Sequence, residues 1–429
     1  MPVAAARRPA HRRGVSPYVA ARFIVLRAVA AMSVGASYAG LRVLELAAVI
    51  AGPFAGMVLA DLGADVIKVE NPHGGDDARR MPPQQHGEST LFMSMNRNKR
   101  SLALDLKTVA GRDAILKLAE QVDVVIESYK PGVSDRLGIG YAALRERNPS
   151  LIYCSVSAFG ESPSGRGLPG YDPLIQAFVG LMSMTGDPSA PPARVASSVI
   201  DLTTGMWAAM GIMAALARRA EDGQGHYVES TLVDSGYMLL CHQISSMLAT
   251  GEVPTRIGSA SPIAAPYEAY RTVDGWLMIA AGNDASFARL CKALGLAELL
   301  EREEFRSNAG RIGHRHELNA ILQKCLEHET SAHWTTLLET AGVPVGPVQD
   351  LDQAVKHPIM AERAMLVVPE GAAPQRASVL RVPFDDARPP RMRAAPTLGE
   401  HSAEILREIG LSTEEIDVML GATAPAKKS

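Results

Sequence analysis

The chain has 429 residues, nearly half of them hydrophobic, enough for two or three domains and a large core. Its formal net charge of −3 gives no reason to expect a nucleic acid or an anionic membrane as partner. Cys154, Cys241, Cys291 and Cys325 stand far apart without a CxxC pair, which reads as reduced, mostly buried thiols of an intracellular protein and offers no zinc site.

The first segment, 1–37, carries Arg7, Arg8, Arg12, Arg13, Arg22 and Arg27 and no acid. It reads as a disordered leader or as an over-extended start ahead of Met32, which places the protein in the cytoplasm. The alternative is an organellar transit peptide and a mitochondrial location. Arg22 and Arg27 interrupt its apolar run, so no membrane span is expected there. Residues 38–225 are expected to form the first part of a large domain. Strands are predicted at 41–46, 64–70, 101–105, 122–127 and 151–156. Helices are predicted near 51–63, 108–120 and 133–146 between them. Alternating elements with apolar strands argue for a mostly parallel sheet covered by helices. Ala51-Gly-Pro-Phe-Ala-Gly56 lacks the three-glycine spacing of a dinucleotide loop, so a nicotinamide enzyme is disfavoured.

Leu168-Pro-Gly-Tyr-Asp-Pro-Leu-Ile-Gln-Ala-Phe178 puts one carboxylate, Asp172, at a turn that opens an apolar helix. Such an Asp can cap the helix, or it can stand at the lip of a cleft as a nucleophile. A long helix is expected over 203–220 and another apolar helix over 227–250. Residues 226–335 read as a linker and a small inserted α+β domain. It has a strand and turn at 267–275, a second strand at 276–281 and helices at 284–294 and 314–328. Residues 336–429 read as a stiff linker at 342–348 and a return to the large domain. That return includes a Pro-rich stretch at 383–396, a final helical segment from Leu398 and a short tail with Lys427 and Lys428.

Several stretches occur in order: Gly52-Pro53 through Glu70, Asn96-Arg-Asn-Lys-Arg-Ser101, Glu127-Ser-Tyr-Lys-Pro-Gly132, Gly170-Tyr-Asp-Pro-Leu-Ile-Gln176, Gly282-Asn-Asp284 and Pro396-Thr-Leu-Gly-Glu-His401. Together they resemble the family III CoA-transferases of the CaiB/BaiF type, from about Gly40 to Leu420. The resemblance implies an α/β fold: a Rossmann-like large domain built from both chain ends, a small inserted α+β domain and an interlocked homodimer. It implies an enzyme that moves CoA from an acyl-CoA to a free carboxylic acid. Coenzyme A enters as substrate, with no further cofactor and no metal. The family's catalytic Asp falls on Asp172, and Gln176 is a candidate helper. Its CoA contacts fall on Ile50, Ala51, Leu104, Lys107, Tyr129, Lys130 and Arg136. Asn71 stands where formyl-CoA relatives carry an Arg. Gly258-Ser-Ala-Ser-Pro-Ile-Ala-Ala-Pro266 lacks their run of glycines, so formyl-CoA/oxalate chemistry is disfavoured.

The run Gly180-Leu-Met-Ser-Met-Thr-Gly-Asp-Pro188 is similar to the succinyl-CoA/dicarboxylate branch. The competing reading is an α-methylacyl-CoA racemase, in which a His-Asp pair serves as acid and base. That His falls on Tyr171 and that Asp on Asp201. A free Tyr titrates near ~10, too high for such a base, and Asp201 then reads as a helix N-cap.

Overall fold

β1 (Arg42–Leu46) buries Val43 and Leu44 completely, the signature of a strand covered on both faces. It is the centre of a computed structural model that describes residues 36–85, 87–371, 379–384 and 392–421. The leader up to residue 35, the middle of the Pro-rich stretch and Lys427 and Lys428 lie outside the described residues. α1 (Ala51–Asp61) follows β1 and leads into β2 (Asp65–Glu70). The helix crosses so close to β1 that a Cβ at Gly52 would lie 2.3 Å from the Ala47 Cβ, so only glycine fits. The pattern continues through β3 (Arg100–Ala103), α2 (Val109–Ala119) and β4 (Val124–Glu127). The helix expected over 133–146 is two pieces, α3 (Val133–Arg136) and α4 (Tyr141–Arg147). Gly138, at φ 74°, ends the first. β5 (Ile152–Ser157) comes next, then α5 (Asp172–Phe178) and α6 (Val199–Asp222).

α6 starts four residues earlier than the periodicity predicts. The helix expected over 227–250 opens instead as a strand, β6 (Tyr227–Thr231), and becomes helical only in α7 (Leu232–Leu239) and α8 (Cys241–Thr250). Val228 and Thr231 are β-branched and suit the sheet, and the Thr231 hydroxyl then caps α7 by accepting from the Asp234 N–H. β6 pairs in parallel with β5, so the sheet runs on past residue 225.

The sheet is six-stranded and parallel, in the order β3-β2-β1-β4-β5-β6. It is the doubly wound, Rossmann-like order, in which the chain reverses its direction of growth between β1 and β4. α1 and α6 cover one face, with Leu59, Ala208 and Ile212 in the core beneath them. α2, α4 and α12 (Ser402–Glu408, near the C-terminus) cover the other, with Ile115, Leu144 and Ile405 buried. Each such side chain contributes ~1.5–3 kcal/mol of transfer free energy. The C-terminal segment locks onto β3: the His401 N–H donates to the Ser101 carbonyl and the Ala103 N–H to the Ser402 hydroxyl, both at 3.0 Å.

A second, antiparallel sheet joins β7 (Tyr267–Arg271), β8 (Trp276–Ala280) and β9 (Val345–Pro347) in the order β9-β8-β7. β9 falls inside the stretch expected as a linker. Pro347 is tolerated there because β9 is an edge strand. With α9 (Asp284–Ala293), α10 (Arg315–Leu326) and α11 (Ser331–Thr340), the sheet encloses its own cluster around Tyr270, Phe287, Phe305, Leu322 and Trp334.

Candidate active site

Asp172 is the first residue of α5, with Tyr171 at the N-cap and Pro173 in the first turn. Gly170 admits the chain to this position: a Cβ there would lie 1.9 Å from the Ala158 Cβ. Ile175 anchors the helix against Val179, Ile200 and Leu232. The Asp172 carboxylate does not cap α5. Its Oδ2 accepts the Ile200 N–H at 2.7 Å and the Asp201 N–H at 3.3 Å, so it caps α6, whose own Ser198 supplies no side-chain cap. Its Oδ1 accepts Gln176 Nε2 at 2.6 Å. The Gln176 amide is oriented in turn by the Val195 N–H, which donates to Oε1 at 2.9 Å. Asp172 is 2% exposed and Gln176 0%. Three N–H donors and a helix N-terminus converge on one buried carboxylate, a setting suited to an anion.

Asp201 is the third residue of α6 rather than its N-cap. No group among the described residues hydrogen-bonds to its carboxyl. Burial first, and then the neighbouring charge of Asp172, push that carboxyl up to about 7. Tyr171 is 68% exposed and turned to solvent. Cys154 and Cys291 are buried, and burial raises both thiols to about 12, which suits core packing rather than nucleophilic use. Cys241 is exposed, against expectation.

The residues expected to meet CoA gather at the carboxyl edge of the parallel sheet. Ile50 and Ala51 follow β1, Leu104 and Lys107 follow β3, and Tyr129 and Lys130 follow β4, with Arg136 ending α3. Lys107, Lys130 and Arg136 are exposed and make no ion pair among the described residues. Leu104 points its side chain into the core and offers only backbone. Tyr129 is half-buried, and burial lifts its hydroxyl to about 12. Tyr129 and Lys130 also border a cavity of about 110 Å³ with Glu127 and Tyr153. Asn71 is exposed and its Oδ1 accepts the His73 N–H.

A buried ion network under these loops escapes sequence reading. Glu45 on β1 and Lys68 on β2 occupy the same register and pair at 3.0 Å, and Lys99 pairs with the same carboxylate at 2.8 Å. Lys68 also pairs with Asp76 at 2.9 Å. The network reaches the loop itself: Lys68 Nζ donates to the Ala47 carbonyl, Lys99 Nζ to the Pro53 carbonyl, and the Val49 N–H to Asp76. Val49 holds φ at 69°, a strained value for a β-branched residue, one position before Ile50. Burial pulls the Lys68 ammonium down, but Glu45, Asp76 and Glu70 outweigh it and raise the group. The hint in the sequence is that Glu45 and Lys68 each stand between apolar neighbours within a strand.

The run Gly180–Pro188 meets the loop after α8. The Gly258 N–H donates to the Gly186 carbonyl at 3.0 Å and Arg256 Nε to the Asp187 carbonyl at 3.1 Å. Leu181, Met184, Thr185, Leu240 and Ile263 line a cavity of about 500 Å³ there. Among the described residues no group of three or more His, Cys, Asp or Glu side chains is placed to hold a metal.

The sequence profile of CoA-transferase family III matches residues 38–402. The chain belongs to that family. A succinate–glutarate CoA-transferase of Agrobacterium fabrum is 37% identical, over 86% of this chain and 95% of the relative. A human succinyl-CoA:glutarate CoA-transferase is 36% identical, over 86% of this chain and 85% of the relative. A crystal structure of a CaiB/BaiF family protein from Brucella suis superposes with a TM-score of 0.78 at 37% identity, covering 86% of this chain and 98% of that one. The protein is therefore a family III CoA-transferase, an enzyme that takes CoA as a substrate.

Proposed function

We propose that this transferase passes CoA from succinyl-CoA to a second dicarboxylate of glutarate type, with Asp172 as covalent carrier. The observation that carries this reading is the Asp172 carboxylate, buried and held by Gln176, Ile200 and Asp201. Oδ1, bonded to one side-chain amide rather than to the backbone cradle, is the oxygen we assign to attack. It forms a bond to the thioester carbonyl carbon, the C–S bond breaks, and CoA leaves as thiolate with the electron pair. The product is a mixed anhydride in which Oδ2 remains in the backbone N–H cradle. The thiolate then adds to Cγ of Asp172. Negative charge develops on Oδ2, where the Ile200 and Asp201 N–H groups already point. Breaking the C–O bond expels succinate and leaves an aspartyl-CoA thioester. The acceptor acid runs the same two steps backwards, so no net proton is consumed.

CoA is read as lying along the carboxyl edge of the sheet at the β1/β4 reversal, with Lys107, Lys130 and Arg136 toward its phosphates. The racemase alternative needs an imidazole at position 171. An exposed phenol there does not supply one, and this supports transfer.

We also infer that the β7–β9 unit is an inserted small domain and that two chains interlock. Supporting this, Met206, Trp207 and Met210 on α6 and Tyr237 and Met238 on α7 are 42–53% exposed. Exposed apolar side chains grouped on two packed helices suit an interface.

The test combines exchange and trapping. Purified enzyme is given succinyl-CoA and labelled glutarate. Wild type is expected to form glutaryl-CoA, and Asp172→Asn to fall by at least about 1,000-fold. Hydroxylamine added during turnover should leave a hydroxamate on Asp172, seen by peptide mass spectrometry. Near-normal exchange by Asp172→Asn would end the proposal.

A further inference from the structure

The mechanism above uses one carboxyl of a close pair and leaves the other idle. The Asp201 backbone N–H donates to Asp172 Oδ2 at 3.3 Å, which puts the two residues side by side. Their surroundings are opposite. Asp172 receives three hydrogen bonds. The Asp201 carboxyl receives none among the described residues, although the residue is largely withdrawn from water. Burial, and then the neighbouring charge of Asp172, raise the Asp201 carboxyl, which has no donor to offset them.

The elements packed against α6 bring no cation to change this. On α1, Asp61 is taken by Arg97. β5 offers Tyr153 and Cys154, β6 offers Tyr227 and Glu229, and α7 offers Asp234 and Tyr237. Arg194, in the preceding loop, turns its guanidinium to the carbonyls of Val195 and Ala196. The one charge that acts on Asp201 is Asp172.

We propose that Asp201 is a positioning residue that works in its neutral, protonated form, keeping the charge at the site to one so that anionic reactants can reach Asp172. The inference rests on the transferase reading of Asp172. Every species that must approach Asp172 is an anion: the departing and returning thiolate, the displaced succinate and the incoming dicarboxylate. A second fixed negative charge beside the nucleophile opposes each approach. A neutral Asp201 removes that charge. The proton stays on Asp201 throughout, so the balance of the exchange is unchanged.

The test has an activity arm and a spectroscopic arm. With one controlling group near 7, wild-type kcat/KM should drop by about 30-fold from pH 6 to pH 8.5. Asp201→Asn, neutral at every pH, should have lower activity at pH 6 yet lose this descending limb, its ratio between the two pH values falling to about 2-fold or less. In the second arm, wild-type protein labelled with 13C at aspartate carboxyls is titrated by NMR. The Asp201 signal should have its midpoint near 7 and move to lower pH in Asp172→Asn. A limb that survives in Asp201→Asn overturns the proposal, as does a wild-type midpoint near the ordinary ~4. The NMR arm reads Asp201 even if Asp201→Asn does not fold. If wild type exchanges no CoA at any pH, the transferase reading has failed, and the titration still decides the state of Asp201.

Discussion

At the scale of single residues, the site is legible in part. Asp172 stands in a motif whose order of Gly, Asp and Pro announces a helix start, and the same residues that mark a cap mark a nucleophile. What the local sequence does not contain is the identity of the helix being capped. Asp172 serves α6, whose first turn is far along the chain, and only the fold brings them together. Gln176 reads equally as a surface residue, and its burial is settled by the Val195 loop that covers it. Removing its amide while keeping its bulk separates chemistry from packing. Gln176→Leu is expected to lower kcat by about 100-fold with KM for succinyl-CoA little changed, the pattern of a lost transition-state donor. Steady-state kinetics check this, and an increase confined to KM would assign Gln176 to binding alone. Asp201 has a consequence for stability as well. Its folded value, about 7, lies above the unfolded ~3.9, so the folded chain holds a proton that the unfolded chain gives up. That contribution is complete below pH ~4 and is lost as pH rises through about 7. Asp201→Asn should therefore melt higher than wild type at pH 8 and close to it at pH 4, as calorimetry at the two pH values can read.

At the scale of elements, strands and helices of the parallel sheet follow from their apolar runs and glycine stops. The misreadings share a cause, which is that local periodicity does not report pairing. Tyr227–Thr231 has too few residues to show alternation before the apolar helix that follows. Val345–Pro347 carries a proline that argues for a linker until β8 lies beside it. The ion network beneath the β1–α1 loop is invisible for a related reason: Glu45 and Lys68 are neighbours only through strand register. Two buried ammoniums depend on the Glu45 carboxylate. Glu45→Gln leaves them under-compensated and should cost about 3–5 kcal/mol in urea unfolding. Val49 stores strain in the same loop. Val49→Gly relieves it and frees the loop, so KM for acyl-CoA should rise several-fold while the unfolding midpoint shifts little. An unchanged KM would show that the loop does not meet CoA.

At the scale of the whole molecule, the C-terminal segment returns to β3 through Ser101, Ala103 and His401, so it packs on the sheet that the N-terminal part builds. That return is anticipated from the family resemblance, not from any periodic pattern. The exposed side chains of α6 and α7 bear on assembly. If they face a second chain, light scattering of the wild type gives twice the chain mass, and Trp207→Glu with Met210→Glu drives the protein to monomer or aggregate. A wild-type mass equal to one chain removes the interlocked arrangement. α6 joins these scales, because its N-terminus ends on Asp172, the proposed nucleophile, and its flank carries Trp207 and Met210. If Asp172 becomes an anhydride or a thioester as proposed, the anion at that terminus disappears, and a helix of 24 residues loses about 1 kcal/mol of end stabilisation until the carboxylate returns. On that proposal the first half-reaction unloads the longest helix among the described residues and the second reloads it, once per turnover. Amides of residues 199–203 should exchange hydrogen faster in the trapped covalent state than in the resting enzyme, a mechanical trace of chemistry felt along the flank where a second chain would sit.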